Sequence, residues 1–260
     1  GVGSLTSVNY SGKELIAYPP APLFWRATTD NDKGTAMGFH SGAWYAASLM
    51  PRCTNVVLVE GDGEVMITFS YRVNISVDVN VTVAYTVRSD GSIAVKSRYE
   101  GTAGLPDLPI YALSFKIPME YNQLDWLALG PDENYSDRNH GARLGRFSNK
   151  AADSLSGYVV PQESGNRTGV RCVTVTNDEG SGIKISAPAA KPVECRVSPY
   201  TAFELENAYH QYELPPVHYT VVTVAGKQMG VGGDDSWGAP VHAEYRIPSD
   251  GIIEYEFVIS

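Results

Sequence analysis

Apolar and polar residues alternate along residues 75–87. The apolar side chains occupy seven successive odd positions: Ile75, Val77, Val79, Val81, Val83, Tyr85 and Val87. Polar residues, with one alanine, stand at the even positions between them. A period of two gives a strand one buried face and one wet face, whereas a helix would repeat its faces every 3.6 residues. The pattern predicts a long, half-buried β-strand.

The same alternation recurs before and after this stretch. The further runs lie at residues 65–71, 93–99, 113–117, 241–247 and 253–259. Asp90-Gly91 and Asp250-Gly251 separate successive runs, and Asp-Gly is typical of tight hairpin turns. No stretch shows the apolar stripe of an amphipathic helix. We therefore expect an all-β protein, a large antiparallel sandwich that forms one domain over residues 1–260.

Composition narrows the possible classes of function. Charged residues make up 19% of the chain, against about 25% in an average soluble protein, and 25 glycines and 16 prolines supply turns. With 43% apolar residues the chain can build a core, which excludes a disordered protein. The net charge of −9 offers no sign of a basic face, so we expect no nucleic-acid partner.

Neither a membrane segment nor a leader is recognisable. No apolar run approaches the roughly 18 residues of a membrane helix, so we expect no membrane attachment. The first residues, GVGSLTSVNYSGKELI, lack the basic and apolar regions of a signal peptide. This favours the cytoplasm, while a leader already removed would leave the periplasm open. Cys53, Cys172 and Cys195 are too widely spaced for a disulfide framework or a CxxC metal site, and we interpret them as small buried apolar side chains.

The segment DNDKG (30–34) superficially resembles a calcium-binding loop. An EF-hand needs an oxygen ligand at the fifth position and a glutamate at the twelfth, but Gly34 and Ser41 stand there. We therefore exclude an EF-hand. Two interpretations remain: a turn closed by Asx hydrogen bonds, or the edge of a functional loop, in which the three glycines of residues 34–42 provide hinge freedom.

The segment GPDENYSDR (130–138) is rich in carboxylates. Asp132, Glu133 and Asp137 could each serve a glycosidase, which needs two carboxyl groups a few ångströms apart. Asp137 stands beside Arg138, however, and we favour an ion pair or hydrogen-bond network that fixes the loop. The five histidines lack metal-ligand spacing, and neither a nucleophile elbow nor a phosphate loop occurs, so no metal site is predicted in this chain.

The segment GGDDSW (232–237) places a tryptophan in a polar loop. The paired glycines allow a tight turn, and Asp234, Asp235 and Ser236 can form hydrogen bonds that support the loop. The flat apolar face of Trp237 matches the C–H face of a pyranose, so this residue is a candidate sugar-stacking platform. The alternative is a ring that folds back onto the sandwich.

Four segments in this order resemble the small-chain, C-terminal region (domain 5) of glycoside hydrolase family 2 β-galactosidases. They are FWRATTDNDKG (24–34), LGPDENYSDR (129–138), YVVPQESGNRTGVR (158–171) and MGVGGDDSWG (229–238). The resemblance implies a supersandwich of the galactose-mutarotase kind. It also implies that the catalytic glutamates and a magnesium site belong to a separate (β/α)-barrel portion. No catalytic residue and no cofactor are then expected in this chain.

The resemblance also assigns roles to individual residues. Trp237 would complete the galactoside pocket of the whole enzyme, and Gly34 would open a mobile loop, residues 35–42, at the edge of the active site. The residues that would accompany or support these loops are Asp30, Asp32, Asp234, Asp235 and Ser236. The family further implies a homo-oligomeric complete enzyme and about one more hairpin upstream of Gly1.

The function that follows is a non-catalytic domain or small subunit of a retaining β-galactosidase, which hydrolyses terminal β-D-galactosides such as lactose. The chain alone is expected to be inactive. A free-standing carbohydrate-binding module remains an alternative, because it would use the same tryptophan and need no catalytic pair. An aldose epimerase of the same broad fold is another, but it needs a His/Glu acid–base arrangement that these histidines do not suggest.

Overall fold

Two antiparallel sheets make up most of the protein, as seen in a computed structural model that describes residues 3–235 and 238–260. The strands are β1 (Asn9–Tyr10), β2 (Lys13–Glu14), β3 (Tyr18–Leu23), β4 (Arg52–Gly61), β5 (Glu64–Asn74), β6 (Asp78–Arg88), β7 (Ile93–Tyr99), β8 (Ile110–Pro118), β9 (Gln123–Gly130), β10 (Arg143–Lys150), β11 (Arg167–Val170), β12 (Cys172–Thr176), β13 (Gly182–Ser186), β14 (Val193–Ser198), β15 (Tyr219–Gln228) and β16 (Ile253–Ile259). The short helices are α1 (Asp30–Gly34), α2 (Met37–His40), α3 (Ala43–Leu49) and α4 (Ala202–Glu206), with 3-10 turns at Ala151–Ser154, Gln211–Glu213 and Ala243–Tyr245.

The larger sheet has nine strands in the order β10-β9-β12-β13-β16-β7-β6-β5-β4, and the smaller has five in the order β11-β14-β15-β8-β3. Strands β1 and β2 form a separate hairpin. Strand β16 stands inside the large sheet, where it pairs along its whole length with β7 and at its end with β13. The predicted all-β, antiparallel architecture is thereby confirmed.

The main core lies between the two sheets. Tyr111 on β8 of the small sheet and Tyr255 on β16 of the large sheet meet edge to face, with ring centroids 5.7 Å apart. Their hydroxyl groups are not left unpaired, because Tyr111 bonds Ser97 and Tyr255 donates to the carbonyl of Val224. A buried tyrosine needs such a partner, since an unpaired hydroxyl in the interior is costly.

The strand predicted from residue 75 begins three residues later in the structure. Asn74 ends β5 and Asp78 begins β6, so Ile75 and Val77 fall in the turn between them. From Val79 onward the alternation holds, and the odd-numbered apolar side chains up to residue 85 are buried. The sequence alternation extends into this turn because Ile75 and Val77 are apolar. Val77 is nevertheless 41% exposed, so it does not belong to the buried face of the strand.

The run 241–247 was predicted as a strand, and this prediction is wrong. Ala243–Tyr245 is a 3-10 turn, and Ala243 is exposed, although Val241 and Ile247 are buried. Pro240 and Pro248 flank the segment. Proline has no backbone N–H, so neither flanking residue can donate a hydrogen bond to a neighbouring strand.

The helices between β3 and β4 were also not foreseen. They are four to seven residues long, too short for an apolar stripe to repeat. Helix α3 is nevertheless anchored in the core. The indole of Trp44 on this helix is fully buried, stacks on Phe24 and donates a hydrogen bond to the carbonyl of Pro106. All three cysteines are free thiols, and Cys195 is the one that is fully buried.

Candidate functional site

The four sequence motifs meet at one end of the small sheet. Strands β3 and β15 pair antiparallel with opposite sides of β8, so they run in the same direction and end on either side of the first residues of β8. The segment 24–34 follows β3 and the segment 229–238 follows β15, which brings these two loops together. The segments 129–138 and 158–171 join them through side-chain contacts.

A buried ion pair ties the first loop to the last. Arg26 Nη2 lies 2.9 Å from Asp32 Oδ1, and both side chains are almost fully buried. The same guanidinium donates to the carbonyl oxygens of Met229 and Gly230. Burial alone would lower the pKa of Arg26. The charge and hydrogen bond of Asp32, together with the nearby Glu163 and Tyr135, outweigh this effect, so the pKa is raised.

The segment 30–34 is a short helix rather than an Asx turn. Thr29 caps it: its hydroxyl accepts from the N–H of Asp32, and the Asp32 carboxylate accepts from the N–H of Thr29. This reciprocal capping box pairs two N–H groups that a helix start would otherwise leave unbonded. Asp32 therefore stabilises the loop in two ways: it caps the start of α1, and it pairs with Arg26.

Asp30 and Gly34 occupy the two ends of α1. Asp30 is exposed and forms a reciprocal pair of hydrogen bonds with Gln162, each 3.1 Å long, which brings in the third motif. The Gly34 carbonyl faces Gly238, where an added Cβ would lie 2.8 Å from its oxygen. The predicted loop 35–42 contains α2, and the structure does not test its mobility.

Several contacts fix the segment 229–238. Asp234 Oδ1 lies 2.7 Å from His242 Nε2, and Asp235 accepts from the N–H of Ala239. The hydrogen bond to Asp234 raises the pKa of His242. Ser236 and Trp237 lie outside the described residues, so the sugar-platform role of Trp237 and the supporting role of Ser236 stay predictions.

Gly238→Ala is expected to destabilise the protein by about 1–3 kcal/mol, because φ is +124° at this glycine and the new Cβ would press on the Gly34 carbonyl. Gly104→Ala is the control, since Gly104 has φ +83° but open space around it. Urea unfolding of both variants measures the difference. Equal losses would contradict a close approach between the loops at Gly34 and Gly238.

Glu133 and Asp137 are both used to fix loops. Glu133 accepts hydrogen bonds from Arg138, from the hydroxyl of Tyr158 and from the N–H of Gly165, at 2.6–2.7 Å. Asp137 accepts from the N–H of Gly232 at 2.7 Å. The loop-fixing interpretation is correct, but Arg138 pairs with Glu133 and not with its neighbour Asp137. The chain turns back tightly here, with Arg138 donating its N–H to the Tyr135 carbonyl, and neighbouring side chains reach different partners.

A second buried ion pair underlies the motifs. Arg196 Nη1 lies 2.7 Å from Glu163 Oε2, and the Tyr135 hydroxyl approaches the same carboxylate. The desolvation of Tyr135 raises its pKa well above the ordinary value. Neither Arg26 nor the Glu163–Arg196 pair was singled out from the sequence. One sequence signal could have indicated the second pair: Arg196 is a charged residue inside the otherwise mostly apolar or small strand VECRVS.

The motifs enclose a small polar cavity of about 180 Å³, whose walls include Asp30, Tyr135, Gln162 and Glu163. Across residues 3–235 and 238–260, no three histidine, cysteine or acidic side chains are grouped so that they could bind a metal. The charged groups here are engaged with one another. The arrangement can hold loops in a fixed position beside a polar surface.

A family model described as the β-galactosidase small chain matches residues 2–259. The chain belongs to the β-galactosidase small-chain family. The resemblance found in the four motifs is thereby confirmed. In the part of this small chain that the structure describes, no helix has both the length and the apolar character needed to cross a membrane.

The relatives differ in how much of their own length the match with this chain covers. The β-galactosidase of Halalkalibacterium halodurans is 60% identical over 262 residues, which cover 100% of this chain and 26% of that protein. The β-galactosidase small subunit of Latilactobacillus sakei is 33% identical, and the match covers 99% of this chain and 90% of that subunit. The chain thus spans about a quarter of the first relative and most of the second.

Solved structures that match this chain include a galactose mutarotase related enzyme from Lactobacillus acidophilus. It has 10% sequence identity and a TM-score of 0.48, and the match covers 99% of this chain and 90% of that one. A glycoside hydrolase family 97 enzyme from Pseudoalteromonas sp. strain K8 matches with a TM-score of 0.47 and 11% identity over 97% of this chain and 31% of that one.

Proposed function

We propose that this small chain is the non-catalytic part of a retaining β-galactosidase and completes the sugar pocket of a separate catalytic portion. The family match carries this proposal. Its catalytic partner would be a (β/α)-barrel that supplies the acid/base and nucleophile glutamates and holds the magnesium ion. The substrates would be terminal β-D-galactosides such as lactose. By the same resemblance, the complete enzyme would be a homo-oligomer. We propose the cytoplasm, rather than the periplasm, as its compartment.

The use of the carboxylates supports a non-catalytic role. Glu133, one of the three candidates in its motif, already accepts from three donors. Asp32 and Glu163 are each buried against an arginine. A general acid or nucleophile must instead be free to meet the substrate. These side chains therefore support the loops and leave the chemistry to the partner.

The contribution of the chain to the pocket would come from Trp237. Asp234 and Asp235 precede it, and their bonds to His242 and Ala239 brace the described parts of its loop on both sides. The contact of Gly238 with the Gly34 carbonyl joins this loop to α1. Such bracing suits a ring that must meet a sugar in one orientation.

Trp237→Ala is expected to raise the KM for a chromogenic β-galactoside about tenfold, equivalent to roughly 1.4 kcal/mol of binding, because a stacking face is lost. The assay combines this chain with the catalytic portion, or uses the complete enzyme. Trp237→Phe, which keeps a flat ring, should restore much of the affinity. Tyr10→Ala is the control, since Tyr10 is an exposed aromatic residue on the separate β1–β2 hairpin.

Two results would contradict this proposal. One is an unchanged KM for Trp237→Ala in the complete enzyme. The other is hydrolysis by the chain alone that survives repurification, which would make Asp132, Glu133, Asp234 and Asp235 the carboxylates to test.

A further inference from the structure

A second and larger cleft lies beside the carboxylate-rich segment 130–138. It has a volume of about 650 Å³ and opens between β9, β10 and β11, beside the turn that follows β9. This volume falls in the range of about 300–1,000 Å³ that is usual for small-molecule sites. The walls combine aromatic, charged and hydroxyl side chains.

One wall of the cleft is aromatic and held in a fixed position. Trp126 on β9 and Phe147 on β10 are cross-strand partners, so they lie on the same face of the sheet, with ring centroids 5.9 Å apart. Phe147 is partly exposed and lies over two glycines. A Cβ at either Gly130 or Gly145 would come within 2.8 Å of its ring. The ring can occupy this place because glycine stands at both positions.

The floor of the cleft has hydrogen-bond donors without acceptors. The Arg167 guanidinium lies 5.1 Å above the Trp126 ring, and this residue is 8% exposed. Its Nη1 donates to the carbonyl of Asn166, but among the described residues neither Arg167 Nε nor Trp126 Nε1 has an acceptor. Such unpaired buried donors are rare in proteins. Burial lowers the pKa of Arg167, and the charges of Glu133 and Asp132 offset this only in part.

Acceptors stand around the same cleft. Asp132 and Asp153 are exposed, and Asn149 and Ser156 add an amide and a hydroxyl. With Glu133, three carboxylates line a cleft that holds two arginines, so an anionic ligand would meet repulsion. A neutral ligand rich in hydroxyl groups can both donate and accept, and the C–H face of a sugar suits an aromatic wall.

We propose that this cleft binds a hexose unit of a neutral oligosaccharide, at a site separate from the pocket that Trp237 completes. The partly exposed ring of Phe147 takes the apolar face of the sugar, and the Trp126 Nε1–H and Arg167 supply donors. Asp132 and Asp153 accept from hydroxyl groups. Among the described residues of the segment 229–238, none lines this cleft. The two sites can therefore be tested independently.

The indole N–H signals in a ¹⁵N–¹H spectrum of the full chain report where the sugar binds. The sequence has four tryptophans. Trp25 and Trp44 are buried, and their Nε1 atoms already donate to Glu206 and to the Pro106 carbonyl. Titration with lactose is expected to shift the Trp126 indole and the Arg167 Nε–H signals saturably in the millimolar range, with the Trp237 signal unmoved by the same event. Trp→Phe variants assign the signals.

Two variants test the acceptors without touching the buried residues. Asp132→Ala and Asp153→Ala change exposed side chains and should each weaken binding about tenfold. Asp125→Ala is the matched control, because Asp125 is an exposed carboxylate next to Trp126 that pairs with Arg146 and does not line the cleft. It should leave the affinity unchanged.

Several outcomes would overturn the proposal. They are no saturable shift of the Trp126 signal at any lactose concentration that dissolves, an equal shift with glycerol at the same hydroxyl concentration, or equal losses in Asp125→Ala and Asp153→Ala. A shift of the Trp237 signal alone would place the sugar at the other loop, and would count against the cleft while supporting the proposed function.

Discussion

Replacing Arg26 by methionine is expected to lower the free energy of unfolding by about 3–5 kcal/mol. The substitution keeps much of the side-chain volume but leaves the Asp32 carboxylate buried without its positive partner. It also removes the donor to the carbonyl oxygens of Met229 and Gly230. Urea unfolding followed by intrinsic fluorescence measures the loss. We expect it to be among the largest effects of a single substitution in this chain.

Arg98→Met provides the control for this measurement. Arg98 also forms ion pairs, with Glu100 and Glu254, but on the exposed face of the large sheet. Exposed pairs contribute about 0–1 kcal/mol, because water screens the charges. A loss of similar size in both variants would show that burial of the Arg26–Asp32 pair does not govern its contribution.

Glu194→Gln is expected to remove a pH-dependent part of the stability. Burial raises the pKa of Glu194 to about 7, although Asn166 and the N–H of Gln228 both donate to its carboxylate. Between pH 4.5 and 7 the folded protein therefore binds more protons at this site than the unfolded chain does. Its contribution is fully present below pH 4.5 and is lost as the pH rises through 7, at a cost of at most about 3 kcal/mol.

The measurement compares how much the free energy of unfolding changes from pH 4.5 to 8 in the wild type and in Glu194→Gln. The amide also alters hydrogen bonds at every pH, and this constant effect cancels in the difference. Glu254→Gln is the control and should leave the change between pH 4.5 and 8 close to that of the wild type. Lys96 and other partners lower the pKa of Glu254 below 4.5, so its contribution to stability is present across this window and is lost only at lower pH. Parallel pH curves for the wild type and Glu194→Gln would rule out a titration of Glu194 in this window.

The sequence could predict the sheets but not their surroundings. Strand β6 was recognisable because the alternation from Val79 to Val87 follows the pleat directly. The run 241–247 has the same alternation, yet it is not a strand, because a strand also needs a neighbour to pair with. Helices α1 to α3 depend on caps and tertiary contacts, such as the Thr29–Asp32 box, which act within a single turn and leave no periodic pattern.

The candidate site was predictable as a set of segments but not as a set of contacts. The sequence indicated residues 30–34 and 232–237 as candidate functional loops. The structure brings the ends of these two loops together at Gly34 and Gly238. The partners Arg26–Asp32, Glu163–Arg196 and Asp234–His242 could not be paired from spacing, because each depends on how loops cross. The cleft around Trp126 was missed for the same reason, since Trp126, Phe147 and Arg167 lie on three successive strands and meet only in the folded protein.

The position of β16 has a consequence for the order in which the protein is built. Strands β4 to β7 can pair with one another as soon as a ribosome has delivered them, and so can β9, β10, β12 and β13. In the described residues these two groups share no strand pairing except through residues 253–259. The large sheet therefore becomes continuous only after its central strand is synthesised, and this late pairing of Tyr99 with Ile253 spans most of the chain. Pairings of such long range form slowly, so the two groups of strands can form before the sandwich that joins them is complete.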